Sequence, residues 1–243
     1  MIFENEEDIS CKERPKMKQE DVMQALDTVY DKVKVGIPKI SQPIDEMVAD
    51  YLNKYDSPEK AAKKMIKYQV AKCATSGFIT GLGGFITLPV AIPANIGSVM
   101  YVQMRMIAGI ADIAGYDIHS DQVQTLVYAC LAEISVDQII KKAGIEFGEK
   151  ITTALIKKIP GQTLVAINQK VGFRFITKAG EKGVINLTKG VPVIGGIVGG
   201  GFDLAETKVI ANRAYKMFIE GDIKASSDEN ESQIEDVFNI AEE

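Results

Sequence analysis

Six basic side chains, Lys157, Lys158, Lys170, Arg174, Lys178 and Lys182, interleave with Leu164, Val165, Ile167, Val171, Phe173, Phe175 and Ile176. Cations set beside apolar side chains suit contact with an anionic lipid surface. There each basic side chain is worth about 1 kcal/mol and the apolar ones enter the headgroup layer. The six belong to a stretch, Ile139 to Lys189, with ten Lys or Arg against three Glu, in a chain whose net charge is −5. Such segregation of charge predicts an oriented surface. A solvated helix face lying over a core would use the same residues.

The other candidates for chemistry are weaker. Arg105 is a charge deep in an apolar helix, and a buried arginine needs a partner. Asp112, two turns later, could share its face, and an acid from another helix could serve as well. The expectation is a buried polar pair with a structural role. His119 precedes Ser120, with Asp117 and Asp121 near enough in sequence to orient it, and Cys130 could in principle be its nucleophile. Cys130, however, sits on an apolar stripe some three turns away, where a thiol is inert. Glu133 and Asp137 have the i, i+4 spacing of an acid pair, but no HxxE-type partner follows, so a solvated face is expected. Asp203 and Glu206 most simply complement a helix dipole. Glu133, Asp137 and Asp203 are the acids that a carboxylate-based hydrolase would have to unite.

The glycine-rich runs fail as phosphate loops. There is no GxxxxGK[ST], and Gly81-x-Gly83 meets Ile86 where a third glycine belongs. One histidine and three scattered cysteines, Cys11, Cys73 and Cys130, offer no metal-ligand pattern. No catalytic residue, metal or cofactor is therefore assigned, and the reading favours a protein that is not an enzyme.

These residues must be positioned by helices. Val22, Met23, Leu26, Val29, Tyr30 and Val33 form one stripe, and Gly36 stands where a helix ends. A second helix runs from about Ser41, with Pro43 in its first turn, to Tyr55. Ser57-Pro58 reads as a cap followed by proline at the first helical position, opening a third helix to about Ala74. Ser120 caps another, whose stripe is Val123, Leu126, Val127, Cys130, Leu131 and Ile134. A last helix spans about Asp203 to Phe218. No alternating strand pattern of length occurs. The fold class is all-α: a single helical bundle domain of about eight to ten helices with two Gly/Pro-rich apolar helical hairpins. The domain is expected over residues 19–220, after a flexible N-terminal segment 1–18 and before an acidic C-terminal tail 221–243.

The hairpins come from two uncharged runs. Cys73 to Met104 is 32 residues without a charge, broken by Gly77, Gly81, Gly83, Gly84, Pro89, Pro93 and Gly97. Its first half, Ser76 to Leu88, would span roughly 20 Å as a helix, against about 30 Å for a hydrocarbon core. The second, Ala94 to Gly115, is long enough but carries Arg105 and Asp112. A soluble core explains this with less strain than a re-entrant hairpin. Gly190 to Phe202 is the second run, with six glycines in 13 residues. The spacings Gly77-x-x-x-Gly81, Gly195-x-x-x-Gly199 and Gly196-x-x-x-Gly200 would let two such hairpins approach closely.

An acidic balance argues against a nucleic-acid partner. The N-terminus, MIFENEEDISCKERPK, has no apolar core of signal-peptide length, which with the unpaired cysteines reads as cytoplasmic.

Two stretches carry a family likeness. YQVAKCATSGFITGLGGFITLPVAIPANIGSVMYVQMRMIAGIADIAGYDIHSDQVQTLVY (Tyr68 to Tyr128) and LIKKIPGQTLVAINQKVGFRFITKAGEKGVINLTKGVPVIGGIVGGGFDLAETKVIANRAY (Leu155 to Tyr215) resemble the EcsC family of bacterial proteins. With the preceding helices the likeness covers roughly Val22 to Phe218. It implies an all-helical fold and supplies no catalytic residues. A peptidase activity suggested for the family has no motif in this chain. The family's namesake is similar to a protein encoded beside an ABC exporter, which implies a transport or envelope setting. The expected function is a non-enzymatic, membrane-associated cytoplasmic protein of the EcsC type. It would be peripheral or partly inserted at the inner face of the membrane, with an anionic membrane surface or lipid, and a membrane protein, as partners. The alternatives are a soluble protein that binds a hydrophobic ligand such as lipid, and a hydrolase with a carboxylate site.

Overall fold

Val22, Ala25, Leu26, Val29, Tyr30 and Val33 recur at three- and four-residue intervals, and all are buried along helix α1, Gln19–Val35. The computed structural model describes residues 18–73, 94–146, 150–188 and 206–223. Glu20 and Asp21 favour the positive end of α1, and the Lys18 backbone N–H donates to the Asp21 carboxylate at 2.9 Å. Gly36 ends the helix with φ 78° and ψ −179°, a region essentially closed to side chains. The chain then folds back on itself. Ile37 N–H donates to the Ser41 carbonyl, and Ser41 N–H returns the bond to Ile37. Pro43 leads directly into α2, Ile44–Lys54. The Ser57 hydroxyl accepts from the Lys60 N–H at the start of α3, Pro58–Cys73.

Helix α4, Ala94–Ile113, is the centre of the bundle. It packs against α1, α2, α3 and α5, and against the last turn of the final helix. Between positions 97 and 111 only Val99 is not fully buried. A helix apolar on every side belongs in the interior of a protein or in lipid; here other helices surround it. Among the described residues, no helix is long and apolar enough to cross a membrane. The charge-free stretch from Gly97 to Met104 is thus core. Gly109 lets α3 come close: a Cβ there would lie 2.7 Å from the Met65 sulfur and 3.2 Å from the Met47 methyl.

Ser120 caps α5, Asp121–Leu131, accepting from Val123 N–H at 3.4 Å. Short helices α6, Asp137–Lys142, and α7, Thr153–Ile156, lead to the long α8, Gly161–Thr188, which lies on α1, α5 and α6. The final helix, α9, is described over 206–215 and closes in a π-helical turn, Lys216–Glu220, with Gly221 left-handed behind it. Among the described residues, the structure is a helical bundle with no strand, and the Ile37–Ser41 bridge stands alone.

Several expectations fall outside the described residues: the apolar segment 74–93, the glycine-rich run 190–202 with its GxxxG spacings, Asp203, Cys11, and nearly all of the two terminal segments. Within the described residues, the expected helix starts at Pro58 and Ser120 and the stop at Gly36 agree with the structure, whereas the second helix begins at Ile44, three residues after the expected Ser41, with Pro43 before its first turn and not in it.

Candidate functional site

The basic candidates divide by position. Lys157 and Lys158 are exposed on the turn that follows α7, and Lys170 and Arg174 are exposed on α8. Lys170 donates to the Ser135 carbonyl at 3.3 Å, so its stem lies along the protein with its charge at the surface. Lys178 and Lys182 lie further along the same helix, where their side chains are outside the described residues. Four-residue steps advance about 40° each around a helix of 3.6 residues per turn. Lys170 and Arg174, one such step apart, therefore form a short basic band.

Beside that band stand two apolar side chains that no core contact explains. Phe173 is 65% exposed and Val165 57%. With Gln162, Ala166 and Gln169 they make the free face of α8, while Leu164, Ile167 and Val171 face the core. Phe173 is adjacent in sequence to Arg174 and three residues from Lys170. The interleaving seen in the sequence is thus two features: Leu164, Ile167 and Val171 are core with Phe175 and Ile176 packed partly against it, and Phe173 and Val165 are surface.

Arg105 is only 3% exposed, but it does not pair with Asp112: no ion pair within 4.0 Å joins them. Its guanidinium donates instead to two carbonyls, Val33 at 3.3 Å and Gln42 at 2.7 Å. Val33 lies in the last turn of α1, where carbonyls lack helical partners and the dipole is negative, so a cation fits without a carboxylate. Burial lowers the pKa of Arg105, and Tyr101 opposes the shift. One turn earlier on α4, the Tyr101 hydroxyl meets the Ser41 hydroxyl at 2.6 Å. Tyr101 and Arg105 together clamp the α1–α2 turn. Arg213, which sequence reasoning passed over, repeats the device: it is buried on α9 and donates to the Ile134 carbonyl just beyond α5.

Asp112 lies at the other end of α4, near Asp45, Asp117 and His119. Burial, then Asp45, pushes its carboxyl up to about 6; His119 opposes this and Asp117 adds a little. A carboxyl that holds its proton more tightly when folded stabilises the fold below the unfolded pKa of about 4, and that stability is lost as pH rises to about 6. Asp112→Asn should therefore raise stability at neutral pH by about 1 kcal/mol, allowing for partial solvation, and leave it unchanged near pH 4. Urea unfolding at the two pH values checks this, and a loss at neutral pH would show that the carboxylate has a stabilising partner.

The remaining candidates do not assemble. His119 sits in the loop before α5, with Nε2 3.6 Å from the Asp45 carboxylate. Cys130 is buried, in contact with the Met217 sulfur at 3.6 Å, and burial pushes its thiol up to about 12. Glu133 and Asp137 do not share a helix. Helix α5 ends at Leu131, Glu133 takes a φ of 55°, and Asp137 opens α6, bound by Ser135 and Lys141. Their i, i+4 spacing carries no common face. Among the described residues, no three of His, Cys, Asp and Glu come close enough to hold a metal.

A cleft of about 770 Å³ between α1, α5 and α8 was not foreseen. At its floor the buried Tyr128 hydroxyl donates to the Asp27 carboxylate at 2.7 Å, and the Gln124 amide donates both to Asp27 at 3.0 Å and to Tyr128 at 2.7 Å. Burial and the bond to Asp27 raise the Tyr128 pKa far above its ordinary value, so the phenol remains a neutral donor. The sequence held one trace of this: Gln124 and Tyr128 stand four apart on α5, a polar pair at the edge of its apolar stripe.

The family model of the EcsC protein family matches residues 3–219. No curated protein and no solved structure matches the chain.

Proposed function

Because the chain belongs to the EcsC protein family, we propose on the strength of its surface that it is a non-enzymatic, peripheral membrane protein whose α8 face binds anionic lipid. One observation carries the reading: Phe173, two-thirds exposed, stands with Val165 on a helix face edged by Lys170 and Arg174, with Lys157 and Lys158 at the helix entrance. Exposed apolar side chains bordered by cations gain from both the hydrophobic and the electrostatic parts of an anionic interface. Four cations near such a surface supply about 1 kcal/mol each, and burying a phenylalanine adds about 2 kcal/mol. That suffices for reversible association. Anionic lipids are characteristic of the cytoplasmic leaflet, so the inner face of the membrane is the natural site. A role beside a transport or envelope complex rests on the family likeness alone.

Vesicle co-sedimentation tests the proposal. The protein should pellet with vesicles containing phosphatidylglycerol and not with pure phosphatidylcholine, and high salt should release it. Reversing charge at Lys170 and Arg174 to Glu should weaken binding at least about thirtyfold, and Phe173→Ala by about thirtyfold, with helical content unchanged. Equal binding to neutral and anionic vesicles, or binding indifferent to these substitutions, would overturn it.

A further inference from the structure

The cleft between α1, α5 and α8 is built around acceptors. Tyr128 and Gln124 both donate to the same Asp27 oxygen, Oδ1. That fixes the carboxylate in place and leaves Oδ2 with no protein donor among the described residues. Asn168, which lines the same cleft, has a carbonyl oxygen sealed from solvent and without a hydrogen-bond partner. A buried acceptor in that state costs about 1–3 kcal/mol, which a ligand donor would recover once the half-buried Asn168 amide turns toward the cleft. Glu20 and Asp121 add two carboxylates to the walls. The acids are not grouped as a metal ion requires. They are spread along a space large enough for an organic molecule.

We propose that this cleft binds an ammonium group, carried either by a small free amine or by the headgroup of an aminophospholipid. An ammonium offers only donors, and Asp27 Oδ2 is an acceptor that no described donor engages. Met23 and Leu164 supply apolar wall for the carbons next to the nitrogen. Lys18 is the one cation lining the cleft, and it suits a phosphate attached to the amine. Val165 belongs both to the cleft wall and to the exposed face of α8. The cleft therefore opens beside the surface assigned above to lipid, and the headgroup form of the proposal rests on that assignment; the free-amine form does not.

Titration calorimetry of the full chain with putrescine and with ethanolamine, against sodium at equal ionic strength, tests the shared chemistry. Saturable binding at one site per chain is expected, weakened at least about tenfold by Asp27→Asn and several-fold by Asp121→Asn. Glu46→Gln, at an exposed carboxylate of α2 outside the cleft, should leave it unchanged. Vesicles of constant anionic content, in which phosphatidylethanolamine replaces phosphatidylcholine, test the source. Tighter binding that is lost in Asp27→Asn identifies the headgroup. Putrescine binding without that preference identifies a free amine. Failure of all vesicle binding with amine binding intact would refute the α8 reading alone. Absence of both amine binding and the phosphatidylethanolamine preference, or indifference of both to Asp27→Asn, would overturn the cleft proposal.

Discussion

Replacing Arg105 by methionine should lower the unfolding free energy by about 2–4 kcal/mol. The substitution keeps most of the side-chain volume, so packing of α4 changes little. What it removes is the donor pair for the Val33 and Gln42 carbonyls. The Val33 carbonyl is then a buried acceptor without a partner, at about 1–3 kcal/mol, and the Gln42 carbonyl a half-buried one that costs less, both partly offset because the guanidinium no longer has to be desolvated. Arg105→Lys should recover at most part of the loss, since one ammonium on a flexible stem cannot reproduce the planar fork that reaches two carbonyls. Urea unfolding followed by circular dichroism gives the comparison. A methionine variant as stable as the parent would show that water takes over both carbonyls and that the clamp is not energetic.

Gly36→Ala should be as damaging, at about 3 kcal/mol or more, for a different reason. A Cβ at this position would press on the Ser41 carbonyl and lie 2.7 Å from the Gln42 carbonyl carbon and oxygen, all backbone atoms that cannot swing aside. The positive φ adds its own strain. Gly144→Ala separates the two effects. Gly144 also has a positive φ, 77°, but nothing lies within 4 Å of the position its Cβ would occupy. That variant should lose only about 1 kcal/mol. Equal losses at the two sites would mean that backbone conformation alone, and not the close approach of the turn, requires glycine at position 36. Because Gly36 and Arg105 act on the same Gln42 carbonyl, the double variant Gly36→Ala, Arg105→Met should lose less than the sum of the singles.

The parts of this fold legible in the sequence are those governed by local chemistry. Caps at Ser57 and Ser120, proline at Pro58 and the stop at Gly36 depend on residues within one turn, and spacing alone exposes them. The helix of Glu133 and Asp137 misled because periodicity continues past Leu131 to Ile134, while the backbone turns back at Glu133 with a φ of 55°. Arg105 was recognised as a buried cation needing a partner, but sequence offers only side chains as candidates. Its partners are carbonyls 72 and 63 residues away, which have no signature in any residue type. The cleft was hidden for the same reason: Asp27 and Tyr128 are 101 residues apart and meet only when α1 and α5 pack together. On α8, the sequence showed which residues were basic and which apolar; the placement of Phe173 outside and Ile167 inside required the neighbouring helices.

The clamp on the α1–α2 turn also sets an order of events during synthesis. The carbonyl of Gln42 leaves the ribosome 63 residues ahead of Arg105. At about 5–20 residues per second, the nascent helical hairpin waits roughly 3–13 seconds for the side chain that completes it. In that interval the Ile37–Ser41 turn has water for a partner and the apolar stripe of α1 has no central helix to cover it. The N-terminal third of the chain is thus exposed to chaperones and proteases until α4 emerges, and a ribosome pausing between codons 42 and 105 would lengthen that exposure in direct proportion.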